Sequence, residues 1–315
     1  MFRLTSNISI GDYTFRGVVN LEVASSWDEF TDKCSITIPR KLNWQGMPVA
    51  TGSNPLLQRG DEVNVQIGYD DENESIFQGY VHQISAEIPV RIECQDAMWR
   101  LKQTTVTSSY KAVKLEELLS DILPEGIDFE AFDVELGPYR ISQATPVQVL
   151  EDLKKTYFLK SWFRDGKLYC GFAYVPSLQS THVIRMERNV VDNQLEYFRK
   201  EDIKIRLKMV SMKSDNSKVE YDAGDSDGEQ RTMYYYGKTL AELKAIADEE
   251  IDRLRYEGYR GSLTTFGKPT VRHGDVVDLR SDAYPERDGE YLVREVRYEF
   301  GMNGYRQEIN LDSKI

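Results

Sequence analysis

The chain is poor in the residues that most often carry chemistry. Among 315 residues there are three histidines and three cysteines. His82, His182 and His273 stand far apart, and none has a second ligand at metal-binding spacing. Cys34, Cys94 and Cys170 are as dispersed. A disulfide framework or a zinc site needs clustered cysteines, so these read as small core fillers. No GxSxG, HExxH, P-loop or GxGxxG occurs. No apolar run approaches the ~20 residues that span a bilayer. The first residues, Met1 to Asn7, lack the charged-then-apolar pattern of a secretion signal. The expectation is a protein folded in the cytosol with no membrane insertion. Basic residues are short as well: 40 Lys and Arg stand against 52 Asp and Glu, a net charge of −12. A general nucleic-acid binder would show a basic stripe instead. No catalytic residue, cofactor or metal is indicated. With so many acids some carboxylates must lie close together, so a carboxylate-based hydrolase stays open as an alternative. Asp222 to Glu229 has the composition of a calcium loop, but Glu229 falls too early for the bidentate ligand; a solvated acidic loop is the plainer reading.

What is present is β-strand patterning. The central stretch is Arg59 to Cys94. A turn at Gly60-Asp61 leads into Val63, Val65 and Ile67, alternating with Glu62, Asn64 and Gln66. After an acidic turn, Asp70 to Glu74, come a second strand through Ile76 to Ile84 and a third through Val90 to Cys94. The plan returns near the end of the chain. His273-Gly274-Asp275 opens Val277-Asp278-Leu279, followed by Tyr291 to Val296 and Tyr305 to Leu311. Gly-Asp recurs at an offset of 214 (274 minus 60). Either the meander is duplicated or two hairpins resemble each other by chance. Duplicated barrels would put the two meanders in separate sheets with the same strand order.

Around these meanders the chain reads as mainly β with an α+β insertion. Residues 1–104 form a first tube-type β-barrel, 105–181 the insertion, and 182–315 a second barrel. Within the first part, Lys41 to Gln58 shows no period and reads as a long loop, either a floppy connection or an arm that orders on assembly. Asp96 to Gln103 reads as a short helix with Asp96 as N-cap. In the insertion, Lys114 to Ile122 and the segment from Pro146 are helical, and Arg164-Asp165-Gly166 marks a hairpin. Pro176 to Thr181 reads as a linker and Lys213 to Gln230 as a mobile polar loop. Tyr234-Tyr235-Tyr236 reads as a half-buried strand, although a carbohydrate-binding face is a third reading of such aromatics. Residues 239–256 carry the longest helix signal, with Thr239 and Glu242 spaced as a capping box.

The second meander carries a family resemblance. Gly267-Lys268-Pro269, His273 to Leu279, Gly289 to Val293 and Gly304 to Ile309 resemble the hub protein of contractile phage tails, the late control protein D family, which is similar to the hub part of type VI secretion VgrG proteins. Arg59-Gly60-Asp61 and Gly79-Tyr80-Val81 resemble its first tube domain. The resemblance is weak over 105–180. Tyr298 stands where the family often has histidine, and no OB domain or β-helical spike follows before Ile315. The resemblance implies a structural, non-enzymatic baseplate hub. Such a hub is a homotrimer forming a pseudo-sixfold ring between the tail tube or its initiator protein and a separate spike protein, among other baseplate proteins. It implies a place in a virion tail or phage-like injection particle assembled in the bacterial cytoplasm. DNA or an effector would pass through without specific binding. Glu62 and Asp278, on strand faces opposite core valines, are the candidate lumen acids.

Overall fold

The computed structural model describes residues 3–39, 41–44, 47–50, 57–85, 88–157, 159–171, 173–213 and 217–315, with 41–44 and 47–50 described by their backbone. The first part contains β1 (Leu4–Ile10), β2 (Tyr13–Phe15), β3 (Asn20–Ser26), β4 (Lys33–Ile38), β5 (Lys41–Trp44) and β6 (Met47–Ala50). β7 (Glu62–Tyr69), β8 (Glu72–Ile84), β9 (Val90–Gln95) and a short α1 (Met98–Leu101) complete it. The middle contains β10 (Val106–Lys114), α2 (Leu115–Ile122), β11 (Phe129–Ala131), β12 (Glu135–Ala144), α3 (Pro146–Tyr157), β13 (Lys160–Arg164) and β14 (Lys167–Gly171). Then follow β15 (Thr181–Arg185), α4 (Met186–Asn189), β16 (Val190–Phe198), β17 (Ile205–Met212), β18 (Lys218–Gly224), β19 (Glu229–Tyr236) and α5 (Leu240–Leu254). The chain ends with β20 (Gly258–Phe266), β21 (Val276–Arg280), β22 (Gly289–Gly301) and β23 (Gly304–Lys314).

The molecule is mainly β, as the alternation requires. Its chief element is one 13-stranded sheet containing both meanders. One end runs β3-β4-β9-β8-β7-β1, with β2 outside β1; the other runs β16-β20-β23-β22-β21-β15. The two ends are joined where Glu295–Gly301 of β22 pairs antiparallel with β3. The expected separation into two sheets is therefore not observed, because β22 is long enough to serve β21 with its first residues and β3 with its last. The expected common strand order is observed: taken along the chain, the six strands of each set occupy the same places. One strand differs in direction, since β1 is antiparallel to β7 while β15 is parallel to β21.

The likeness extends to single hydrogen bonds. Gly60 N–H donates to the Val81 carbonyl at 2.8 Å and Val81 N–H returns to the Asp61 carbonyl at 2.9 Å; Gly274, Val293 and Asp275 repeat this at 2.7 and 2.9 Å. The Asp61 carboxylate accepts from Gln58 N–H at 2.7 Å, and the Asp275 carboxylate from Arg272 N–H at 2.9 Å. Both glycines hold a positive φ, +91° and +83°, a region that costs glycine little. Each long strand then carries a β-bulge at the same step, after Val81 and after Val293. In both sets the inward side chains, Val63 and Val65 or Val277 and Leu279, enter a single apolar core that spans the sheet.

Two smaller units have their own cores. Residues of β10 to β14, α2 and α3 close around Leu115, Leu118, Leu150 and Leu168, and they take in Met98 and Leu101 of α1. The insertion's core thus begins before residue 105. The second unit, β18-β17-β19 covered by α5, buries Leu207, Met209, Leu243 and Ala247. The Thr239–Glu242 capping box forms as expected. The polar stretch read as a loop contributes β18, whose alternation of half-buried and exposed residues is that of a strand held by β17; residues 214–216 of that stretch lie outside the described residues. Likewise 41–44 and 47–50, read as loop, pair as a hairpin, with 45–46 and 51–56 outside the described residues. The linker ends in β15, recruited by β21 through backbone pairing that no side-chain period signals.

Candidate functional site

Two features set this molecule apart among the described residues: a strand edge that meets no further strand and a buried polar junction. β3 is flanked by β4 and β22, so Leu21 is fully buried and Val23 nearly so. β16 occupies the same place in the other strand set but pairs only with β20 among the described residues. Pairing fixes the equivalence. Leu21, Ile36 and Ile92 form one rung, and Asn193, Leu263 and Ile309 the matching one. Asn193 is accordingly exposed and Leu195, the counterpart of Val23, half-buried. The partner edge is also present. Past Val81, the side of β8 away from β9 meets no strand among the described residues, whereas the equivalent residues of β22 hold β3.

The polar junction ties the three parts of the chain together. Asp275 is almost fully buried and accepts from His182 Nε2 at 3.0 Å, from Arg272 N–H at 2.9 Å and from Ser180 N–H at 3.3 Å. Arg164, from the hairpin of the insertion, lies 3.9 Å from the same carboxylate and donates to the carbonyls of Leu178 and His273. Arg272 reaches Asp165 at 2.9 Å and the Ser75 carbonyl at 3.2 Å. Burial, with the Arg164 charge adding to it, pushes the His273 imidazole down to about 3, so it is neutral here. Sequence spacing had left all three histidines alone. The Gly-Asp motif marks Asp275, but nothing in the sequence marks its pairing with a histidine 93 residues away.

Beside this junction a cleft of about 520 Å³ is walled by β7, β8, α1, the Arg164–Gly166 turn and Tyr298. Asp32 and Asp96 lie in its wall. Burial raises the Asp32 carboxyl to about 7 and the Asp96 carboxyl well above the usual range, Asp32 itself adding to the latter. A pair of perturbed acids in a cleft is what the hydrolase alternative requires. Their oxygens are nevertheless engaged in turns: Asp32 accepts from Ser25 Oγ at 2.5 Å and Ser26 N–H at 3.2 Å. Asp96 accepts from Met98 N–H at 3.0 Å and Asp32 N–H at 3.2 Å. Asp96 thus caps α1 from one position before Ala97, the N-cap residue. Among the described residues, no three His, Cys, Asp or Glu side chains are grouped to hold a metal, and no helix is long and apolar enough to cross a membrane. Asp225 and Asp227 of the calcium-like loop pair instead with Arg255 and Lys204 at 2.6 and 2.5 Å.

The two acids marked for a lumen differ. Glu62, the first residue of β7, is exposed and lines the cleft. Asp278 is bonded to Arg280 at 2.5 and 3.0 Å and its side chain is only 14 % exposed. By the offset of 214 they are not counterparts: Glu62 matches Val276 and Asp278 matches Asn64. Tyr298 is buried and donates to the Val271 carbonyl at 2.5 Å.

The architecture is that of phage tail proteins. A tail protein of Neisseria meningitidis MC58 matches 99 % of this chain and 96 % of its own at 16 % identity, with a TM-score of 0.66. The 43 kDa tail protein of prophage MuSo2 from Shewanella oneidensis matches 98 % and 97 % at 17 % identity, TM-score 0.63. A component of the E. coli type VI secretion system, described as structurally similar to the T4 tail proteins gp27 and gp5, matches 97 % and 76 % at 9 % identity, TM-score 0.60. No protein-family model and no curated protein matches the sequence.

Proposed function

We propose that the chain is a structural baseplate hub: three copies close into a ring of six equivalent β units that joins a sixfold tail tube to a threefold spike. The residues 1–104 and 182–315 are then duplicated tube-type domains around the insertion. The observation that carries this reading is the seam between β22 and β3, together with the copies of both its partners, β16 and the far side of β8, which meet no such strand among the described residues. Open strand edges seek pairing. The β8–β9 hairpin of one chain laid on β16 of the next repeats the seam between chains, and a head-to-tail contact that closes makes a ring. The chain has no enzymatic role in this reading.

Register makes the seam testable. Glu295 faces Ser26 and Arg297 faces Ala24; the equivalent residues place Gln83 opposite Phe198 and Ser85 opposite Glu196 of the neighbouring chain. Because Cys34, Cys94 and Cys170 are buried, Ser85→Cys with Glu196→Cys reports this contact. Oxidation in the presence of the spike protein is expected to yield covalent trimers. Purely intramolecular or absent cross-linking, with a monomer by light scattering, sinks the ring.

The bore follows from the same arrangement. Glu62 presents three exposed carboxylates per ring, while Asp278, neutralised by Arg280, adds little. Acids within about 8–10 Å of passing DNA repel it, which opposes the counterion-release gain that lysine and arginine provide. The assembled ring is expected not to retain short duplex DNA at low salt; tight, salt-sensitive retention contradicts a passive conduit.

A further inference from the structure

A second cleft, of about 510 Å³, opens between the turn that joins β3 to β4 and the end of α3; Phe30, Glu151, Lys154, Lys155 and Lys160 line it. The turn is held from two sides. Trp27 Nε1 donates to the Tyr174 hydroxyl at 3.0 Å, which donates in turn to Asp312 at 2.6 Å. Phe30 packs on the apolar core of the insertion yet stays half-buried. Lys154 donates to the Asp28 carbonyl and Lys160 to its carboxylate, both at 2.5 Å, and Lys154 Nζ stands 3.4 Å from the same carboxylate. Each ammonium also lies over a ring, Lys154 on Phe30 at 5.1 Å and Lys160 on Trp27 at 4.9 Å, an attraction that grows as the cation loses water.

One carboxylate therefore serves two ammonium groups, and the lysines around it are no better neutralised. Lys155 is exposed and has no ion pair among the described residues. Lys102, which follows α1, donates to the neutral Thr31 Oγ1 and Gln95 Oε1 at 3.1 and 2.8 Å. Partial burial, with Lys33 adding to it, holds the Lys102 ammonium below the usual lysine range. Asp96, an acid near it, is kept largely protonated by burial. Lys33 pairs with Glu29 at 3.1 Å, and Asp152 of α3 is engaged by Tyr139 and Thr156. Lys33, Lys102, Lys154, Lys155 and Lys160 thus meet only Asp28, Glu29 and Glu151, in a chain whose net charge is −12.

We infer that this groove docks an acidic peptide segment of a partner protein, with carboxylates on the lysines and an apolar side chain on Phe30. Charge complementarity selects the sign. Glu29 and Glu151 interrupt the lysines, so a uniformly charged polymer such as DNA or polyphosphate is repelled at intervals, whereas a peptide can place neutral residues there. Lysines also offer point charges rather than the arginine fork that suits phosphate. The acids come from outside these residues, because the segments beyond those described hold only Glu87 and Asp215. Docking here does not depend on the ring proposed above.

Yeast-displayed random dodecapeptides selected on the full chain test this, followed by fluorescence anisotropy with the leading synthetic peptide. Expected are peptides rich in Asp and Glu around an aromatic or aliphatic residue, bound more weakly as salt rises. Lys155→Glu is expected to weaken binding roughly tenfold, since it sets like charges against each other, and Lys102→Gln about threefold. Lys111→Glu, at an exposed lysine of β10, makes the same change of net charge and is expected to leave binding unchanged. Thermal midpoints equal to the parent's verify that the variants fold. Selected peptides without acidic enrichment, no loss in Lys155→Glu, or an equal loss in Lys111→Glu overturns the assignment. Displacement of the peptide by short duplex DNA or polyphosphate at equal charge also overturns it, making the groove a general polyanion site. A change in the chain's own oligomeric state on Lys155→Glu, with no acidic peptide selected, overturns it in favour of a second copy.

Discussion

The first and last parts of this chain share a strand order, a turn and a bulge, yet they treat equivalent residues differently. Leu21 is buried and Asn193 exposed, although they occupy one position. The difference is a neighbour: β22 covers β3, and nothing described covers β16. Side-chain chemistry thus follows what a strand touches, not the strand's place in a repeat. The same lesson holds at Gln307 and Val90, counterparts on β23 and β9. Val90 sits in the core, while Gln307 is fully buried and binds the chain between β20 and β21. It donates to the carbonyls of Phe266 and Pro269 at 3.1 and 2.6 Å and accepts from Val271 N–H at 3.0 Å.

Exchanging residues between the two parts sharpens this comparison. Gln307→Val, which installs the residue of the first part, strands the buried Val271 N–H and takes the partner from two part-buried carbonyls; at about 1–3 kcal/mol for a stranded buried group, a net loss of roughly 2–4 kcal/mol is expected. Urea denaturation measures it, and a loss below ~1 kcal/mol would show that water replaces the side chain. Leu21→Asn is expected to cost about 3–4 kcal/mol, as core truncation and an unpaired buried amide combine. The reciprocal Asn193→Leu is expected to change the isolated chain by less than about 0.5 kcal/mol, as for ordinary surface sites. Equal effects at the two positions would mean that β16 is covered after all.

The matched aspartates give a smaller contrast. Asp275→Asn disturbs a buried carboxylate that accepts three hydrogen bonds and is expected to cost about 2 kcal/mol, whereas the half-buried Asp61→Asn is expected to cost about 0.5–1 kcal/mol. Thermal or urea midpoints of the two variants, measured side by side, decide it.

A further contrast is in pH dependence, and its sign differs between the groups. The folded Asp32 carboxyl titrates near 7 rather than 3.8, so its contribution is present at low pH and lost as pH rises from about 4 to 7. His273 titrates near 3 rather than 6.5, so stability is lost as pH falls from about 6.5 towards 3. Asp32→Asn is expected to make stability climb more steeply between pH 4 and 7, and His273→Gln to flatten that climb. Denaturation midpoints over this range that shift in parallel for both variants would refute the assignment.

Sequence alone determined a great deal here. Alternation fixed the meanders, because a half-buried strand must place Val63, Val65 and Ile67 on one side. The Thr239–Glu242 spacing fixed the start of α5, and Asp165-Gly166 the insertion's hairpin, since each of these is satisfied within a few residues. The tertiary structure alone decided what depends on distant partners. β15 and β18 form because β21 and β17 offer edges, although β15 begins where the linker reading ends, at Thr181, and the residues of β18 read as a polar loop. His182 acquires Asp275 only when β15 is laid beside β21. The junction of the two meanders into one sheet depends on the length of β22 beyond its first neighbour, which periodicity does not encode. Local rules record what a residue does with its near neighbours; the pairing of edges far apart in sequence is settled by backbone groups common to every residue, and they leave no signature in side-chain order.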